Sequence, residues 1–253
     1  MSMPTQYRNP PCRAQRGMGI VELMVGLLIG LIMAVALAWF YLGSRTLSRA
    51  SDDVSRLQES GRGALEIIGM AIRQSGYRSN VNAAFSGTAL GGFDGANNAP
   101  DTITIQYDAQ EGGEIDCTGT PVPACGPAVA PAACRVTYQF TISSASNASA
   151  LMCVGAVGAP VAVVDNIEDM QFSYGIDANK DGSIELYKSL PSSAAEWAGV
   201  VAVRISLLAR GPSTNVAANN TQTLTFNGAP ITKQDGYIRQ AYGGTFAVRR
   251  QAF

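Results

Sequence analysis

Twenty-one consecutive residues without a charge, Leu23 to Gly43 (LMVGLLIGLIMAVALAWFYLG), constrain this chain more than anything else in it. At about 1.5 Å per helical residue such a run crosses a hydrocarbon layer ~30 Å thick, so it reads as a membrane-spanning helix. Arg8, Arg13 and Arg16 precede it; the positive-inside rule keeps that flank cytoplasmic and sends the C-terminal bulk across the membrane. Arg45 and Arg49 follow the span and pull the other way, but the first flank usually dominates. An ordinary cleavable signal is the rival reading, with small-residue triplets at Ala34-Val35-Ala36 and Ala36-Leu37-Ala38. Against it, the apolar core of a signal has roughly 7–15 residues, and this one continues through Trp39, Phe40, Tyr41 and Leu42 into a second helical pattern.

A carboxylate, Glu22, sits at the start of the run. An ionised group at the edge of a membrane segment costs up to ~3 kcal/mol and calls for a partner; a Glu reaching out to the membrane rim is the plainer alternative. Inside the span, Gly26, Gly30, Ala34 and Ala38 recur every fourth residue and line one face, the small-xxx-small pattern that lets helix backbones approach. Beyond it, Leu47, Ala50, Val54, Leu57, Gly61, Ala64, Ile68 and Ile72 continue at spacings of three and four, which predicts an amphipathic continuation ended at Gly76. One helix over 18–75 (membrane half 20–43, amphipathic half 44–75) spans about 87 Å at ~1.5 Å per residue. A break at Gly43 into two helices is the alternative.

From residue 76 to 253 the chain turns to Gly, Ala, Ser, Thr, Asn and β-branched residues, which predicts one strand-rich head. Period-two apolarity marks strands at 102–107, 135–142, 170–176, 200–209 and 245–249. They imply an antiparallel sheet with the helix over one face, an α+β architecture. The Gly- and Asn-rich stretch from Ala84 to Pro100 is expected to be an exposed loop. Cys117, Cys125, Cys134 and Cys153 cluster in a Pro- and Gly-containing segment and read as two disulfides of an oxidising compartment, with three connectivities open. Zinc is less favoured, because the paired CxxC knuckles are missing.

With no His, the chain lacks the commonest general base and metal ligand. Its net charge of −1 falls to about −4 without Arg8, Arg13 and Arg16, so no basic stripe for nucleic acid is present. An enzyme reading has only Ser206 and Asp235 to point to, with no nucleophile-elbow, zincin or P-loop motif around them. The segment Asp177-Ala178-Asn179-Lys180-Asp181-Gly182-Ser183-Ile184-Glu185 matches the first half of a calcium loop. Position 12 of such a loop is Lys188 here, so a site for Ca2+ through Asp177, Asn179, Asp181, Ser183 and Glu185 has to borrow Glu185. A Gly-containing turn held by Asx hydrogen bonds is the preferred reading.

The stretch Arg16-Gly17-Met18-Gly19-Ile20-Val21-Glu22-Leu23-Met24 resembles the type IV prepilin motif, with Gly before the cleaved bond and Glu at the fifth mature position. The resemblance implies a leader of residues 1–17, cleavage between Gly17 and Met18 by prepilin peptidase, methylation of the new amine, and pairing of Glu22 with the amino terminus of a neighbouring subunit. Four blocks resemble the PilW family of minor pilins: SRLQESGRGALEIIGMAIRQSGYR at 55–78, YGIDANKDGSIELY at 174–187, VVAVRISLLAR at 200–210 and YIRQAYGGTFAVRR at 237–250. Gly63 departs from the bulkier residue expected in that helix. This second resemblance implies a type IV pilin-like fold and no catalysis. It also implies a low-abundance subunit that moves from the bacterial inner membrane, head in the periplasm, into the surface pilus. Its partners would be other minor pilins, the major pilin, the assembly platform and a tip adhesin, in pili that serve adhesion and twitching motility. A minor pseudopilin of a type II secretion system is the nearest rival, and a calcium-dependent surface-binding module a more distant one.

Overall fold

In the computed structural model the residues described are 19–79, 85, 88–110, 113–126, 129, 133–143, 149–214 and 221–249. The expected leader, with Gly17 and Met18, lies outside them. One helix, α1, runs from Ile20 to Gln74 without a break at Gly43. The chain divides into two compact units, residues 1–48 and 49–253, so the first part of α1 belongs to one and the remainder to the other.

The second unit holds the head. In chain order its elements are β1 Leu90–Phe93, a 3-10 turn Ala96–Asn98, β2 Thr102–Asp108, β3 Glu114–Ile115, β4 Pro121–Val122, β5 Arg135–Ser143, β6 Ala150–Gly155, β7 Val161–Asp165 and β8 Ile167–Ile176. There follow β9 Leu186–Lys188, α2 Ala194–Ala198, β10 Val200–Arg210, β11 Gln222–Phe226, β12 Ala229–Lys233 and β13 Arg239–Ala247. All pairings among the described residues are antiparallel, as expected. They make two principal sheets rather than one, ordered β1-β2-β5-β6-β7 and β13-β10-β8-β9, with small β3-β4 and β11-β12 pairs beside them.

Register explains how α1 and both sheets share a core. Val203, Ile205 and Leu207 of β10 stand opposite Phe246, Gly244 and Tyr242 of β13 on one side, and opposite Tyr174, Phe172 and Met170 of β8 on the other. Cross-strand partners share a face, so these residues form one apolar surface. Leu57, Ala64, Ile68 and Ile72 of α1 join the same buried cluster, as do Ile103, Ile105, Tyr138, Phe140 and Leu151 of the five-stranded sheet. Burying each Leu or Ile side chain is worth about 1.5–3 kcal/mol, which outweighs the low helix propensity of the glycines in this stretch.

Two of those glycines are required by contact. A Cβ on Gly61 would overlap the Tyr242 ring, and one on Gly69 the Phe246 ring. The Tyr242 hydroxyl donates to the Leu57 carbonyl at 3.2 Å and fixes its ring there. Gly63 has nothing within 4 Å of an added Cβ, so its small size leaves no packing defect. Gly63→Ala therefore raises the stability of the detergent-solubilised chain by up to about 1 kcal/mol, and Gly61→Leu lowers it by about 1–3 kcal/mol. Urea titrations of the two variants read both, and a neutral Gly61→Leu contradicts the fit of Tyr242 against the helix.

Two turns of the expected helix stripe differ. Leu47 and Val54 are exposed, whereas Asp53 is buried, because the Ser213 amide and hydroxyl donate to its carboxylate at 3.1 and 3.0 Å. The helix stops one residue before the expected 75. Ser75 Oγ donates to the Ile72 carbonyl at 2.6 Å, and Gly76, at φ 69°, turns its amide onto Gln106, a glycine C-cap. The stretch 84–100 is not simply a loop, since Leu90 is buried and β1 pairs with β2. Gly92 there faces the Tyr174 hydroxyl, which leaves no room for a side chain.

Candidate functional site

The first turn of α1 is set by Gly19, whose carbonyl accepts from the amides of Glu22 and Leu23 at 3.0 and 3.2 Å. Glu22 is thereby placed in the opening turn, where the helix dipole favours a carboxylate. None of the apolar stretch behind it is buried. Leu27, Leu28, Leu31, Ile32 and Leu37 are each more than 60% exposed, an uncovered apolar surface that only lipid or other helices satisfy. Gly26, Gly30, Ala34 and Ala38 are all exposed, and an added Cβ at either glycine meets nothing within 4 Å. Trp39, Phe40 and Tyr41 come at the far end, and the Arg45 guanidinium lies 4.7 Å from the centre of the Tyr41 ring. An aromatic belt followed by a cation suits a membrane–water boundary.

The four clustered cysteines form the two disulfides that the sequence left unpaired: Cys117 with Cys153 and Cys125 with Cys134, at Cα separations of 6.2 and 5.0 Å. Cys153 lies in β6 opposite Phe140 and is fully buried. The first bridge thus ties the loop after β3 to the core.

The structure brings Asp177, Asp181 and Glu185 together, with one carboxylate oxygen from each within 4.8 Å of the others. Glu185 comes back because its amide donates to the Ile176 carbonyl at the end of β8. The carboxylates also hold the loop itself. Gly182 donates to Asp177 at 2.9 Å, Ser183 to Asp181 at 2.7 Å and Ala178 to Glu185 at 2.8 Å, while Asn179 accepts from the Asp181 amide at 2.9 Å. Oxygen donors of this kind suit a hard cation such as calcium, and the same bonds make a complete Asx-type turn, with Lys180 and Gly182 at positive φ. Lys188 takes no part and pairs with Glu196 at 2.5 Å; that hydrogen bond holds the Glu196 carboxyl down at about 2.

A second ionic group has no local signal in the sequence. The Arg239 guanidinium is buried and bound by Glu168 at 2.5 and 3.0 Å and by Asp235 at 2.5 and 2.7 Å. Hydrogen bonds from Arg239 hold the Asp235 carboxyl at about 2. Gln222 brackets the Arg239 backbone, donating to its carbonyl and accepting from its amide, both at 2.7 Å. Asp235 is therefore a partner of Arg239, and Ser206 sits mid-strand in β10 opposite Gln171 and Gly243. Neither stands in the setting of a nucleophile and its base.

A membrane-length helix followed in the chain by an antiparallel two-sheet head, stapled by two disulfides, makes this an α+β protein. Residues 139–250 match the family model of the Type IV Pilus-assembly protein W, PilW. The PilW resemblance read at 174–187, 200–210 and 237–250 falls within that span, which takes in the whole four-stranded sheet; the block at 55–78 lies outside it. No curated protein matches the chain. Among solved structures, a type IV-like pilin from Thermus thermophilus is similar at 14% identity and a TM-score of 0.42, covering 81% of this chain and 100% of its own. That likeness is loose.

Proposed function

We propose that this chain is a minor subunit of a type IV pilus, made as an inner-membrane precursor. Prepilin peptidase cuts it between Gly17 and Met18 and methylates the new amine, with the leader in the cytoplasm and the head in the periplasm. The subunit then leaves the membrane through the assembly platform, joins other minor pilins and the major pilin, and prims the filament from its tip, where an adhesin is the further partner. The observation that carries this reading is Glu22 in the first turn of a bare apolar helix whose chain continues into a PilW-matching head. Lipid solvates the helix in the precursor; in a filament, neighbouring helices replace the lipid, and a buried carboxylate there needs a charged partner. The amine freed at Met18 is such a partner. The PilW match favours the pilus over a secretion pseudopilin.

Glu22→Ala tests the reading. The variant is expected to accumulate in the membrane at the wild-type level, while its amount in sheared pili falls at least tenfold by immunoblot. Undiminished recruitment contradicts the pairing of Glu22.

A further inference from the structure

A groove of about 450 Å³ opens where the end strand β1 meets α2, and no charged side chain lines it among the described residues. We propose that it binds a neutral saccharide of two or three rings. This inference does not depend on the pilus assignment.

The lining has the chemistry for it. Thr104, Gln106, Ser192 and Ser193 bring hydroxyl and amide groups, and Trp197 brings an indole. Sugars present both O–H donors and oxygen acceptors on rings with apolar C–H faces, so they are matched by two-way polar groups beside an aromatic plane. Ser193 Oγ accepts from the Glu196 amide at 3.2 Å, which leaves its O–H to donate; Ser192 donates to Glu196 at 3.0 Å, which leaves its lone pairs to accept. Trp197 is held edge-to-face against the buried Tyr174, ring centres 4.9 Å apart, so the indole is fixed before any ligand arrives. The strand edge adds main-chain groups. Gln106 donates to the Ala89 carbonyl and Leu90 stands opposite Ile105, so residues 89, 91 and 93 bond to β2. Leu90 and Gly92 consequently turn their amides and carbonyls away from β2 along the sheet edge.

Other ligand classes fit less well. A charged molecule finds no counter-ion in the lining, and the nearby Glu196 carboxylate is taken by Lys188. An apolar molecule finds chiefly polar walls. A peptide added as a strand needs a longer edge, because β1 has four residues and turns its groups outward at only two of them before the turn at Ala96–Asn98.

The test uses the full chain in dodecylphosphocholine micelles, whose headgroup is not a sugar, with Trp39→Phe so that Trp197 is the sole indole of the chain's two. Cellotriose, maltotriose, N,N′,N″-triacetylchitotriose and an extended Thr-Val hexapeptide are titrated against Trp197 fluorescence. At least one trisaccharide is expected to saturate the signal in the low-millimolar range or below, and Thr104→Val and Gln106→Leu are expected to weaken it at least tenfold with an unchanged thermal midpoint. The proposal is overturned if no trisaccharide saturates, if binding survives both substitutions, or if only the hexapeptide binds.

Discussion

Replacing Cys117 and Cys153 together by alanine is expected to lower the unfolding free energy of the full chain by about 4 kcal/mol, the loss of chain entropy for a loop closed over a separation of 36 residues. The Cys125 and Cys134 pair, separated by 9 residues, is worth about 3 kcal/mol by the same relation. Because the second loop lies inside the first, removing both bridges costs less than the two values added. Cys153 is also fully buried in the cluster that includes Phe140 and Leu151, so its truncation leaves a small cavity as well. Urea titrations of the detergent-solubilised protein, followed by tyrosine and tryptophan emission, read these differences. A shift below about 1 kcal/mol for the first pair contradicts a structural bridge there.

The second large effect is expected at Arg239. Its side chain is fully buried between Glu168 and Asp235, so Arg239→Ala removes the cation and strands two carboxylates, at a cost of about 3 kcal/mol. Arg239→Met keeps the stem and costs less. The pH dependence separates this charge pairing from packing alone. Asp235 has its pKa lowered from 3.8 to about 2 by Arg239. Its contribution is therefore complete above about pH 4 and disappears as the pH falls through about 2. The wild type is expected to lose stability across that window relative to Arg239→Met, and parallel profiles contradict the pairing. Asp101 has the opposite sign: burial raises its pKa, so its protonation on acidification favours the fold.

Long-period signals were the most legible in the sequence. Apolarity repeating every three and four residues gave a helix within a residue of its observed C-terminal end, and Gly76 marked that end through its positive φ. Four expected strands, at 102–107, 135–142, 170–176 and 200–209, lie inside β2, β5, β8 and β10, because one face of each meets the core and the other does not. The expected strand 245–249 caught only the end of β13, whose Gly243 and Gly244 resemble a turn until Tyr242 and Phe246 are seen packing on α1. Strands β6 and β7 carry no period-two signal for a related reason: Ala150, Leu151 and Cys153 are all buried, while Val161 is exposed, so neither shows a clean alternation. Asn227-Gly228 is a legible hairpin signal. Both residues take positive φ and join β11 to β12 as a two-residue hairpin.

Long-range partners were not legible. Nothing near Asp53 announces Ser213, 160 residues away, and nothing near Glu168 announces Arg239, 71 residues away. Pairing of the cysteines is likewise a property of register: Cys153 faces the core because β6 pairs with β5, and Cys117 reaches it from the β3-β4 loop. Glu22 was legible because its oddity is local, a carboxylate among apolar residues.

Co-expression with prepilin peptidase, followed by intact-mass measurement of the purified chain, tests the central claim most directly. The mass should correspond to a chain that begins at Met18 and carries one added methyl group, and a bulky residue in place of Gly17 should block this change more strongly than Gly17→Ala does. A chain beginning near Ala36 or Ala38 would instead be an ordinary secreted protein, and the reading of Glu22 and its helix as a filament-forming element would be contradicted.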